Sequence, residues 1–144
     1  MLTIRPYESG DRGAVVDLWH RCGLVMPWDD PHRDIALKLS VSPELFLVGM
    51  LGHRLVATAM VGYEGYRGCV SYLAVEPVFH RQGLGRVMME AAERHLASLG
   101  CPKINIQVRA ANNGTVAFYR RLGYQVDPVT SLGKRLESDR REGG

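Results

Sequence analysis

Two segments, residues 75–86 and 105–124, contain residue types at spacings that could do chemistry. In the first, Val75 ends an apolar run, Gly83 and Gly85 occupy the turn that follows, and a long helical pattern starts directly after them. Glycine lets the backbone turn tightly and admits a ligand with no Cβ in the way. A helix N-terminus adds unbonded N–H groups and the positive end of the helix dipole. Together these make a site for phosphate or pyrophosphate, and Arg81 and Arg86 add positive charge beside it. The turn is not a P-loop, because no Gly-Lys-Ser/Thr follows. It also departs from the dinucleotide fingerprint, since Met88 stands where the third glycine belongs. A purely structural strand-to-helix junction would use the same residues.

In the second segment, 104–108 reads as a strand leading to Asn112, a good N-cap for a last helix. Tyr119 lies seven residues on, two turns along the same face. A phenol there can donate a proton to a leaving group, although a helix tyrosine is more often a core residue with its hydroxyl satisfied. Metal chemistry is not expected. The histidines at 20, 32, 53, 80 and 95 form no i, i+3 or i+4 pair, and Cys22, Cys69 and Cys101 have no zinc spacing. An odd cysteine count without a Cys-x-x-Cys pair argues against a disulfide framework and for a reducing cytoplasm. Cys22 and Cys101 read as small buried or half-buried hydrophobes.

The elements that must hold these residues alternate along the chain. A first strand is expected over 2–5, then a helix from an N-cap at Ser9 to Gly23, with Val15, Leu18, Trp19 and Cys22 on one face. Residues 26–31 form a proline-bounded loop, followed by a short helix over 34–39. Strands follow over 45–51 and 55–63, joined by Gly52-His53, and over 70–75, with Gly62, Gly65 and Gly68 punctuating the second turn. The stripe from Leu84 to Leu99 marks the strongest amphipathic helix, capped by Gly100 and blocked by Pro102. A strand over 103–108, a helix ended by Gly123, and two short strands near 124–126 and 131–136 complete the pattern. The class is α/β (α+β): a mixed sheet with helices on both faces.

Composition bounds the rest. A chain of 144 residues with 46% hydrophobic and 23% charged residues supports one domain, 1–144, with a real core. No run is long enough for a membrane helix, and the N-terminus lacks the apolar core of a signal peptide. A net charge of +3 does not by itself call for nucleic acid. The charged tail, 137–144, is expected to fray.

The two segments together resemble the GNAT superfamily of N-acetyltransferases. Its pyrophosphate signature, Q/R-x-x-G-x-G/A, is met by His80, Arg81, Gln82, Gly83, Leu84 and Gly85. Its second signature, N-x-x-A-x-x-[FL]-Y-x-x-x-G-[FY], is met by Asn112, Thr115, Phe118, Tyr119, Gly123 and Tyr124. His80 and Thr115 depart from the usual Gln/Arg and Ala. Because backbone N–H groups do most of the pyrophosphate binding, acetyl-CoA binding is expected to survive both changes. Phrases such as Pro27-Trp28-Asp29-Asp30-Pro31 and Ser131-Leu132-Gly133-Lys134 are similar to the YpeA-type bacterial acetyltransferases.

The resemblance implies a central sheet of six to seven strands flanked by about four helices, with a V-shaped splay between the parallel strands 70–75 and 103–108. It implies acetyl-CoA as cosubstrate, its pantetheine arm along Leu73, Ala74 and Val75, and its pyrophosphate held from Arg81 to Arg86, through Gln82, Gly83, Leu84 and Gly85, with Asn112 and Tyr119 close by. An amine would attack the thioester directly, a backbone N–H of Val75 would stabilise the developing oxyanion, and Tyr119 would protonate the departing thiolate. The ribosomal-protein Nα-acetyltransferases place a basic glutamate twelve residues before that tyrosine; here the position is Gln107, which cannot serve. Glu64 is the expected base, with Trp28 and Tyr63 beside the acceptor, while Glu76 reads as an exposed loop charge and Asp29 and Asp30 as turn and cap residues. A homodimer is compatible with this reading, and neither nucleic acid nor membrane is expected as a partner. An acetyl-CoA sensor without turnover is the alternative. A nucleic-acid role for Lys134, Arg135, Arg140 and Arg141 is weakened by Glu137, Asp139 and Glu142 among them.

Overall fold

A computed structural model describes residues 1–137 of the chain. The residues divide into two compact units, Met1–Ile106 and Gln107–Gly144, the second described as far as residue 137. Most of the tail expected to fray lies outside the described residues.

The first unit holds strands β1 (Thr3–Pro6), β2 (Phe46–Leu51), β3 (Arg54–Tyr63), β4 (Gly68–Val75) and β5 (Ile104–Asn105), and helices α1 (Arg12–Arg21), α2 (Pro31–Leu39) and α3 (Leu84–Ser98). The strands form one sheet in the order β1-β2-β3-β4-β5. The first four run antiparallel, and β5 joins β4 in parallel. The α1 side buries Trp19, Leu18 and Val15 with Phe46, Val48 and Ile35. On the other face, a Cβ built at Gly49 would lie 3.0 Å from the Met88 sulfur of α3. Val48 and Gly49 are neighbours in one strand, so their side positions face opposite ways. Helices therefore cover both faces, as the alternation of the sequence implies. Burying Trp19 or Phe46 contributes strongly, since truncating such a residue to alanine costs about 3–5 kcal/mol.

Local details follow from identifiable residues. Asp30 caps α2, accepting from the Arg33 N–H at 3.2 Å, and Pro31 takes the first helical position, where its missing N–H costs nothing. The α1 helix begins at Arg12, after a 3-10 turn at Ser9–Asp11 that Glu8 and Asp11 cap reciprocally. Gly65 makes the β3–β4 turn with φ 102°, whereas Gly62 and Gly68 lie within the strands. Their lack of a side chain has a packing reason: a Cβ would come within 2.8 Å of the Cys69 sulfur or 2.7 Å of a Leu96 methyl. Cys22 and Cys101 are half-buried, and Cys69 is exposed.

The sheet has five strands, fewer than the six to seven expected. The strand foreseen over 103–108 is reduced to Ile104–Asn105, which pairs only with Gly68 and Cys69. No strand forms over 124–126 or 131–136 among the described residues. Pro128 has no N–H to give a ladder, and Val126, Val129, Leu132 and Leu136 stay exposed.

The second unit is built on α4 (Asn113–Arg121). Asn112 caps it as expected, its Oδ1 accepting from the Thr115 N–H at 3.1 Å.

Candidate functional site

The last half of β4 is irregular in a way that matters. Thr58 faces Ala74 and Met60 faces Ser71, so Tyr72 and Leu73 together oppose the single residue Ala59. This is a β-bulge, with an extra residue in the bulged strand. Tyr72 takes φ 49°, a left-handed conformation unusual for a side chain of this size. Holding such a residue costs about 1–3 kcal/mol, and it persists only where its surroundings over-determine it.

Beyond the bulge, the Glu76 N–H bonds to the Val56 carbonyl at 2.8 Å. Antiparallel pairs alternate between bonded and non-bonded positions, so the adjacent pair Ala57–Val75 turns the Val75 N–H and C=O away from β3. The Val75 carbonyl there accepts from the His80 Nε2–H at 2.7 Å and the Cys22 thiol at 3.3 Å. On that side β5 ends its pairing at Cys69. From Val70 to Val75 no further strand lies on the β4 edge among the described residues. The parallel ladder between β4 and β5 therefore stops after two residues.

Directly after β4 comes the glycine turn. Arg81 and Gly83 are both left-handed, with φ 64° and 81°. Residues 80–83 are exposed, and a Cβ at Gly83 would meet open space. No side chain caps α3. The Val87 N–H is bonded to the Gly83 carbonyl at 3.1 Å, so the amides of Leu84, Gly85 and Arg86 precede the intrahelical ladder. Positive φ values, exposed backbone and a helix N-terminus give a concavity suited to a phosphate-bearing group. The residues present fit a pyrophosphate.

Glu76 corrects an expectation. It is not an exposed loop charge but is buried, at 4% exposure. Arg21 of α1 reaches it through Nε at 3.0 and 3.1 Å and Nη2 at 2.6 Å, and Arg54 lies 3.8 Å away. The Arg21 hydrogen bonds hold its carboxyl below the usual range against the opposing effect of burial, and the charge of Arg54 helps. An ionised, paired Glu76 is a structural anchor at the end of β4 rather than a base. Its partner is 55 residues away, so no local pattern could have revealed it.

The remaining first-unit residues take quieter places. Tyr63 donates to the Gly65 carbonyl at 2.8 Å, within its own hairpin. Glu64 is exposed in the same turn, its N–H bonded to the Arg67 carbonyl at 3.0 Å. Trp28 is half-buried in the α1–α2 loop, and Asp29 accepts from the Met26 N–H at 2.8 Å, the turn chemistry expected of it.

In the second unit, Tyr119 is buried, edge-on to Phe118 at 5.1 Å and Tyr124 at 5.6 Å. Burial pushes its pKa up to about 12, so at neutral pH the phenol keeps the proton it could donate. Gln107 donates through Nε2 to the Ser131 hydroxyl at 2.9 Å.

Comparison with known proteins decides the family. A profile described as "Acetyltransferase (GNAT) family" matches residues 13–124. The chain belongs to the GNAT acetyltransferase family. It is 40% identical over 139 residues to an acetyltransferase of Pectobacterium atrosepticum, covering 96% of this chain and 99% of that one. An acetyltransferase of Sodalis glossinidius is likewise 40% identical over 139 residues, with 96% and 98% covered. Among solved structures, the ribosomal-protein-S18-alanine N-acetyltransferase from Escherichia coli is 26% identical with a TM-score of 0.72, over 85% of this chain and 77% of that one. AAC(6')-Iy in complex with a bisubstrate analogue matches at 0.75 and 16% identity, over 94% and 99%, and shares the fold. The GNAT chain is thus an acetyltransferase. No described helix is long and apolar enough to cross a membrane.

Proposed function

We infer that this GNAT protein moves the acetyl group of acetyl-CoA to a primary amine of a small molecule, peptide or protein by direct attack. The observation that carries the reading is the continuity of the β4 edge, which no further strand pairs from Val70 to Val75 among the described residues, with the exposed turn that opens α3. A strand edge offers N–H and C=O groups at the spacing of an amide-bearing arm, and the turn offers N–H groups to a pyrophosphate. Leu73, Ala74 and Val75 take the pantetheine arm in this reading, and Arg81, Gln82, Gly83, Leu84, Gly85 and Arg86 take the pyrophosphate, with Asn112 contributing. The outward N–H of Val75 faces the charge that develops on the acyl oxygen; donors held ready in this way stabilise the transition state of acyl transfer strongly.

Tyr119 is the acid for the departing thiolate. Its burial and the raised pKa that burial causes support that role. The amine also has to lose a proton. Gln107 is an amide and cannot take it. Glu64, the base expected from the sequence, is exposed at the β3–β4 turn, at the other end of β4 from Val75 and roughly 20 Å away by strand rise, so it does not take the proton directly from an amine attacking there; Trp28 and Tyr63 are assigned to the acceptor. A cytoplasmic setting is supported by the three free cysteines. The test is release of CoA thiol from acetyl-CoA against a broad panel of amines and peptides. Acceptor-dependent release, with the acetylated product seen by mass spectrometry, is expected. Acetyl-CoA binding with no acceptor used would favour a sensor.

A further inference from the structure

Among the described residues, Thr58 and Glu76 are the two buried positions, aromatics aside, that carry a polar or charged side chain. Glu76 anchors the end of β4 through Arg21. Thr58 acts on the same stretch from the other side. It sits within the apolar run Leu55-Val56-Ala57-Thr58-Ala59 and is fully buried. Its hydroxyl donates to the Tyr72 carbonyl at 2.7 Å and accepts from the Trp19 Nε1–H at 2.9 Å. One donor and one acceptor are thus both used. The Trp19 ring lies on the Tyr72 ring, 3.7 Å between centroids and 14° between planes. The far end of Tyr72 donates to Asp34 of α2 at 2.5 Å. Tyr72, the left-handed residue of the bulge, is therefore held at its carbonyl, its ring face and its hydroxyl.

A backbone conformation that strained persists only when its surroundings fix it. Without the bulge, β4 would run in plain alternation, and the residues after it would change the side to which their N–H groups point. We propose that Thr58, with Trp19, is a positioning residue that locks the β4 bulge at Tyr72 and so sets the strand edge, Leu73 to Val75, for the acyl-bearing arm of the cosubstrate. The proposal rests on the acetyl-CoA reading given above. Thr58 touches no ligand in it; the residue acts through the backbone of Tyr72.

The lock serves the arm that lies along β4, not the phosphates at the α3 turn. Two ligands separate these parts: acetyl-CoA, and 3′-phosphoadenosine 5′-diphosphate, which keeps the pyrophosphate and lacks the arm. In the full chain, Thr58→Val should weaken acetyl-CoA binding about tenfold, the order of a lost buried hydrogen-bond pair. It should leave the second ligand within about twofold, and Thr58→Ser, which keeps the hydroxyl, should restore acetyl-CoA binding. Where Thr58→Val does not fold, Trp19→Phe, which removes the donor and keeps a ring, should show the same selective loss. Wild-type binding of acetyl-CoA together with equal weakening of both ligands, no weakening, or no rescue by serine overturns the proposal. Wild-type protein that binds neither ligand overturns the acetyl-CoA reading first, and the proposal with it.

Discussion

Replacing Glu76 by glutamine should separate a structural anchor from a catalytic base. The side chain keeps its shape and loses its charge, while Arg21 keeps its guanidinium. Three Arg21–Glu76 contacts at 2.6–3.1 Å are broken or weakened. Hydrogen bonds to charged groups are worth about 1.5–3 kcal/mol each, net of the water bonds they replace. The Arg21 side chain is 48% exposed, so water takes up part of its loss, and Arg54 at 3.8 Å adds little. A destabilisation of about 2 kcal/mol follows, or roughly 6 °C in Tm for a chain of this size. The pH dependence gives the sharper sign. Glu76 is held below its ordinary value of 4.5 in the folded state. Its contribution is therefore present above the unfolded value and lost as pH falls through the lower, folded one. Urea unfolding of wild type and Glu76→Gln should differ most near neutrality, and the gap should shrink steadily as pH falls below the unfolded value of 4.5. A gap that is absent at pH 7, or unchanged at pH 3, would refute the anchor.

Other outcomes follow from the site. Tyr119→Phe should lower kcat by about 10- to 10⁴-fold, the scale of a lost general acid, with acetyl-CoA affinity changed far less; unchanged turnover on a good acceptor removes the role. Because Tyr119 is raised to about 12, the wild-type kcat profile should show no loss from this phenol through pH 10; a falling limb near 9 that is absent in Tyr119→Phe contradicts the shift. Gly83→Val forces a β-branched side chain into φ 81° at the mouth of the turn, costing about 1–2 kcal/mol there. Acetyl-CoA binding should weaken by roughly 5- to 30-fold, and calorimetric titration showing wild-type affinity would argue that the turn holds nothing.

Much of the frame is legible in the residues because its determinants are local. Gly52, Gly83, Gly100 and Gly123 all take positive φ where turns or helix ends were expected, and Asn112 caps α4 with the bond foreseen for it. The features that were not legible depend on distant partners. Glu76 looks like a loop charge beside Pro77 until Arg21 of α1 meets it. The bulge has no glycine to mark it, since Ser71-Tyr72-Leu73 reads as plain strand, and the left-handed Tyr72 is explained by its distant partners Thr58, Trp19 and Asp34. Thr58 in an apolar run was the available signal. The missing strands failed for a related reason: alternation over 103–108 and 131–136 records what a segment could pair with, and pairing needs a partner edge.

The central claim is that the β4 edge and the α3 turn hold acetyl-CoA, and calorimetric titration of acetyl-CoA into the full chain tests it most directly. Saturable binding at one site per chain, weakened roughly 5- to 30-fold by the Gly83→Val substitution, is the predicted result. No binding at millimolar acetyl-CoA by folded protein would contradict it.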